Sequence, residues 1–225
     1  MVNSYVTRTR LGALALAIAG VLFVLYPVFR PWQDESTVDG AIAAMDSAAW
    51  IASHSFAMLG FILAALGLLA VRQVVGGAPA ERMAFLAVVA GWIGAGFTLP
   101  YFGAETFGLN AIAGAASRGD QFDLLQLVDD VRFGPVAVAT FGIGLLALAV
   151  AGILTAVAVW RSAHLPRYSG LLFALGLVLF LPQFFTPPAF RIAHGVLLGV
   201  GALWLSMAVW RAAASAKQVE PARLD

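Results

Sequence analysis

The sequence has no cysteine, a single lysine (Lys217) and few charges of either sign. Without cysteine, disulfide staples, thiolate zinc sites, iron–sulfur ligation and thiol catalysis are excluded. Charged residues make up 11% of the 225, against about 25% in an ordinary soluble domain. So little charge cannot clothe a water-facing globule of this size. A net charge of +1 with no basic run argues against nucleic-acid binding. Period-two alternation is absent, which leaves a transmembrane barrel unsupported. What the chain does have is apolar length: 61% of it is hydrophobic, and the mean hydropathy is +0.90. This is the composition of an all-α polytopic membrane protein.

A spanning helix needs roughly 20 mostly apolar residues. Six stretches qualify, at about 11–29, 48–71, 83–102, 133–160, 169–185 and 189–210. The first follows Arg8 and Arg10 but ends at Arg30-Pro31 without a small-residue cleavage site, so it reads as a retained helix. Residues 1–10 then form an N-terminal segment, 11–211 the six-helix bundle and 212–225 a tail. With the N-terminus inside, nine basic residues fall on the cytoplasmic side. Only Arg30, Arg118, Arg132 and Arg191 fall outside. The excess of inner arginine predicts that both termini are cytoplasmic. The richness in Ala and Arg beside one lysine points to a bacterial inner membrane.

Three outward helices end alike, in Tyr26-Pro27-Val28-Phe29, Leu99-Pro100-Tyr101-Phe102 and Leu181-Pro182-Gln183-Phe184. The returning helices end in Ala70-Val71-Arg72, Val159-Trp160-Arg161 and Val209-Trp210-Arg211. The pattern predicts three parallel helical hairpins, at 11–72, 83–161 and 169–211. Each proline either bends its helix, opening space near the outer leaflet, or stops it there.

Ionisable groups inside spans are costly and mark function. His54 and His194 sit at similar outward depth in the second and sixth stretches. Glu105 is the lone acid between Met83 and Ser117. A straight helix over that run would be about 51 Å long, more than a bilayer holds, so the chain should bend near Pro100 or Gly103. Glu105 then lies on an apolar cap, where desolvation favours its neutral acid form. The alternative is a water-exposed interfacial carboxylate. Residues 121–131 read as an amphipathic surface helix, with Asp123, Asp129 and Asp130 toward water. Arg132 and Arg191 are placed to pair with these acids or with Glu105. Rings crowd the same level, among them Trp50, Tyr101, Phe102, Phe133, Phe184 and Phe190.

An isolated acid in a ring-lined, water-poor chamber suits protonation-initiated cyclisation of an isoprenoid. The acid protonates an alkene or epoxide, ring faces stabilise the cation, and a nearby base takes the last proton. In size, helical topology, the isolated Glu105 and the ring-rich outer half, the sequence resembles the small integral-membrane terpene cyclases of meroterpenoid and indole-sesquiterpenoid pathways. Fungal members of that family are drawn with seven helices, against six counted here. The resemblance implies a membrane-embedded acid as proton donor, which makes Glu105 the candidate, with Asp129 and Asp46 behind it. In this reading Tyr101 or His54 orients Glu105, and His194 or Asp129 is the final base. Trp50, Phe102, Phe133, Phe184 and Phe190 line the chamber beside Arg132 and Arg191. The partners are a lipophilic small molecule and the bilayer, and no cofactor is required. Two other classes stay open. His54 and His194 could be axial ligands of one haem; a zinc site from these two and Glu105 lacks HExxH-type spacing. Alternatively, the chain is a small transporter or scaffold, although no polar residue lies near the midplane, where transport sites are expected.

Overall fold

The computed structural model describes residues 2–218, and within them the chain is helical with no strand. Five helices are long and apolar enough to cross a membrane. They are α1 (Val2–Phe29), α3 (Ala48–Val75), α4 (Ala78–Gly103), α7 (Pro135–Arg161) and α9 (Pro188–Gln218). The short helices are α2 (Val38–Met45), α5 (Asn110–Ser117), α6 (Leu124–Phe133) and α8 (Leu171–Val178).

The fifth expected span is corrected. Residues 169–185 do not form one helix. They give the eight-residue α8, a turn, and a 3-10 turn over Pro182–Phe185. Pro182 has no N–H to continue the ladder, and the eight residues before it rise only about 12 Å. The other two proline motifs end differently again. α1 stops two residues after Pro27, whereas α4 runs through Pro100 into a π-helical turn, Ala104–Leu109, and on into α5. The expected bend near Pro100 or Gly103 is therefore realised as a change of helical winding within one helical run. α1 begins at Val2 and so runs through the expected N-terminal segment 1–10 without a break at residue 10. α9 continues past 211 to Gln218, and the last seven residues of the expected tail, Arg223 among them, lie outside the described residues.

Local signals set the remaining boundaries. Thr37, Ser47 and Asp123 are N-caps whose side chains accept from the N–H of Gly40, Trp50 and Gln126. Pro79 and Pro135 sit in the first turns of α4 and α7, where no N–H is needed. The α3–α4 reversal takes two residues, Gly76 and Gly77, with φ of 53° and 74°, a backbone that favours glycine.

The long helices and α8 pack in a closed order: α1 on α3, α3 on α4, α4 on α7, α7 on α8, α8 on α9 and α9 back on α1. Lipid tails are as apolar as leucine, so close backbone approach has to supply the attraction between helices. Gly20 of α1 lies against Gly199 of α9: a Cβ added to Gly20 would sit 2.9 Å from the Gly199 carbonyl oxygen. Gly94 of α4 and Gly144 of α7 repeat the arrangement. Phe23, Phe61, Phe102 and Phe180 fill the interior in mutual ring contacts 5.1–6.3 Å apart. At one end α2, α5 and α6 build a cap with its own small core, which includes Met45, Trp50, Leu109, Ala113, Leu124 and Val128.

Candidate functional site

Where the bundle meets the cap there is a cavity of about 910 Å³. It has one charged end and one apolar end. Arg30, Trp32, Glu35, His54, Glu105, Arg132 and Arg191 line the first, and Phe102, Phe133, Val138, Phe141, Leu181 and Phe184 the second. Phe133, Val138 and Phe185 are both cavity lining and largely exposed, so the apolar end has its mouth on the outer surface of the bundle. The broken segment after α8 creates this space. A helix continued through residue 185 would fill the place where the turn presents Leu181 and Phe184.

Glu105 lies on the π-turn. Such turns stretch the backbone ladder and recur at functional sites. Here side chains take up the slack: Thr106 Oγ1 donates to the Phe102 carbonyl at 2.6 Å, and Trp50 Nε1 donates to that of Glu105, also at 2.6 Å. The Glu105 carboxylate is buried but not isolated. Arg132 grips it as a fork, Nε to Oε1 at 2.8 Å and Nη2 to Oε2 at 3.1 Å. The same guanidinium reaches Glu35 at 2.8 Å, and Glu35 accepts from Arg30 at 2.6 Å. The result is an alternating chain: Arg30, Glu35, Arg132, Glu105. Burial is the strongest single influence on Glu35 and opposes its charge, yet Arg30 and Arg132 together hold its carboxyl below the ordinary range. Burial likewise disfavours the Arg132 cation, but Glu105 and Glu35 reverse that and raise its pKa.

This corrects one expectation. A Glu105 that uses both oxygens as acceptors from a guanidinium fork is a paired carboxylate, not a lone neutral acid. His54 is next to it, its ring tilted 39° against that of Trp50 with centroids 4.2 Å apart. Its Nδ1 lies 2.8 Å from the Trp50 carbonyl, which can only accept, so Nδ1 carries the proton. In the neutral ring, Nε2 is then an acceptor that faces Glu105 Oε2 across 3.9 Å. Two acceptors thus meet at the cavity wall.

Of the residues singled out from sequence, Glu105, His54, Tyr101, Phe102, Phe133, Phe184, Arg132 and Arg191 converge on the cavity. Trp50 supports it from behind, fully buried. Three residues do not belong. Asp129 is exposed on α6 and is not part of the cavity lining. Phe190 is 66% exposed and points away from the lining. His194 Nε2 donates to the Gly176 carbonyl at 2.7 Å, its ring edge-on to Phe180. Phe180 N–H bonds Leu177 instead of continuing the α8 ladder, which frees that carbonyl, so His194 closes the end of a broken helix. His54 lines the cavity and His194 does not, and among the described residues no group of three or more His, Cys, Asp or Glu side chains is placed to hold a metal ion. Sequence reasoning missed Tyr26, Arg30, Trp32, Glu35 and Phe141 as lining. Arg30 and Glu35 were legible only as outer charges.

The chain matches no protein-family model, no curated protein and no solved structure. The terpene-cyclase resemblance rests on the sequence features alone.

Proposed function

We propose that this protein is a membrane-embedded enzyme that takes a lipophilic molecule sideways from the bilayer and moves a proton on it at His54 and Glu105. The observation that carries the reading is the pairing of two acceptor atoms, 3.9 Å apart, with a ring-lined cavity whose mouth is apolar. A site of this volume suits a small ligand, and a few polar groups at one end suit orientation. A donor atom about 2.8 Å from both Nε2 and Oε2 makes two good contacts at once. The arginine asymmetry supports placing the cavity end at the outer face of a six-segment bundle with both termini cytoplasmic.

Isoprenoid cyclisation fits the rings and the lateral mouth. Its first step fits less well, because Glu105 would have to exchange Arg132 for a proton before donating one. The geometry better supports an isomerisation in which His54, held by its Nδ1–H bond to the Trp50 carbonyl, takes a proton from one carbon and returns a solvent-exchanged proton to another as a double bond shifts between them.

The test incubates membranes containing the protein with farnesylated and geranylgeranylated acceptors in heavy water, read by mass spectrometry. Rearranged or cyclised product carrying deuterium is expected from wild type, and about 100-fold less from His54→Gln. Absence of both product and deuterium from the wild type would leave a binding protein without chemistry.

A further inference from the structure

The charged end of the cavity has an unbalanced count. Three arginines line it against two glutamates, and both glutamates are already engaged, Glu35 by Arg30 and Arg132, Glu105 by Arg132. Arg191 is the excess. Among the described residues no carboxylate lies within 4.0 Å of it. Its Nε donates to Gln183 Oε1 at 3.0 Å, the guanidinium also donates to the neutral Tyr26 hydroxyl, and it is covered by the rings of Trp32 and Phe184 at 4.9 and 5.0 Å. Ring faces offset part of the cost of burying a cation, but they do not neutralise it.

Two more donors close by lack acceptors. Arg30 Nε is buried with no hydrogen-bond partner, and so is Gln183 Nε2. Arg30 shares Trp32 with Arg191, its guanidinium 4.6 Å from the same ring. A buried donor left unmade is costly, and the unpartnered Arg30 Nε and the surplus positive charge of Arg191 coincide in the lining of one cavity, while Gln183, which holds Arg191, is not part of that lining. The shortfall is in acceptors and in one negative charge.

We infer that the molecule held in this cavity is a lipophilic chain bearing a single anionic head, a carboxylate or a phosphodiester, with the head between Arg191 and Arg30 and the chain along Phe141 and Phe184 toward the mouth. The inference rests on the reading of the cavity as a lateral binding site. It adds the class of the head group, which the rings and the base do not define. It also sets the ligand's direction: head under the cap, tail toward lipid.

The probes are tritiated oleate and tritiated oleyl alcohol, bound to the purified full chain in detergent and read by scintillation proximity. Oleate is expected to bind at least about tenfold more tightly than the alcohol, the range of a charge-assisted hydrogen bond. Arg191→Gln should remove that preference and leave the alcohol's affinity within about twofold, and Arg191→Lys should restore part of it. Acetate at about 10 mM, a head without a chain, should displace no oleate, because the chain supplies most of the buried area. Equal binding of oleate and alcohol by the wild type would overturn the anion inference while leaving the lateral site intact. Binding of neither would overturn the lateral site itself. Full displacement by acetate would show a free-anion site and overturn the lipophilic ligand. The wild-type comparison stands even if an Arg191 variant fails to fold.

Discussion

Arg132 is the residue on which both glutamates depend. Its side chain is 16% exposed, and those of Glu105 and Glu35 are 10% and 14%. Replacing it with Met would leave two buried carboxylates short of their partner. Breaking a buried pair this way costs about 3–5 kcal/mol. Arg132→Met should lower the melting temperature in detergent markedly, and Glu105→Gln in the same chain should recover part of the loss. A double-mutant cycle on thermal unfolding measures that coupling. Glu35 adds a pH dependence. Its folded pKa lies below the unfolded value, so its stabilisation is complete above the ordinary carboxylate range and is lost as pH falls through the folded value. Melting temperature should therefore drop on acidification below about pH 4.5, and more shallowly in Glu35→Gln. The separate charges were readable from sequence; their closure was not. Nothing in Arg30-Pro31-Trp32-Gln33-Asp34-Glu35 says that Arg132, from a distant helix, will complete the chain.

Among the elements, the long helices were legible because 20-residue apolar runs have little choice in lipid. The broken α8 was not, since residues 169–185 are as apolar as any span and only the position of Pro182 hints at the interruption. The role of His194 was hidden for the same reason: its acceptor, the Gly176 carbonyl, is free only because the helix fails. Where helices do run whole, glycine contacts set their spacing. A Cβ on Gly144 would meet Thr98 Oγ1 at 2.6 Å and Thr98 N at 2.9 Å, whereas one on Gly96 meets nothing within 4 Å. Gly144→Val should destabilise by about 1–3 kcal/mol through overpacking. Gly96→Ala on the neighbouring turn should be neutral or gain about 0.5–1 kcal/mol from helix propensity. Thermal unfolding of the two variants side by side checks the α4–α7 contact.

At the scale of the molecule, all-helical architecture followed from composition; of the cap, α6 matches the amphipathic run read over 121–131, while α2 carries no run that stands out from a loop. The absence of cysteine has a practical use here: single cysteines can be introduced with no background. Ser36→Cys at the cap end and Ala163→Cys at the opposite end, both exposed positions, should label oppositely with a membrane-impermeant maleimide on intact cells, Ser36→Cys reacting and Ala163→Cys requiring permeabilisation. The reverse pattern would place the cavity on the cytoplasmic face.

The cap's apolar cluster is separate from that of the bundle, and the π-turn joins the two through Leu109 in the cap core, the Trp50 bond to the Glu105 backbone and the Arg132 fork on the Glu105 carboxylate. Two such layers need not melt together. Hydrogen exchange should then show the amides of the upper layer opening at lower free energy than those of the long helices, which is the behaviour that would admit a bulky guest without loosening the bundle.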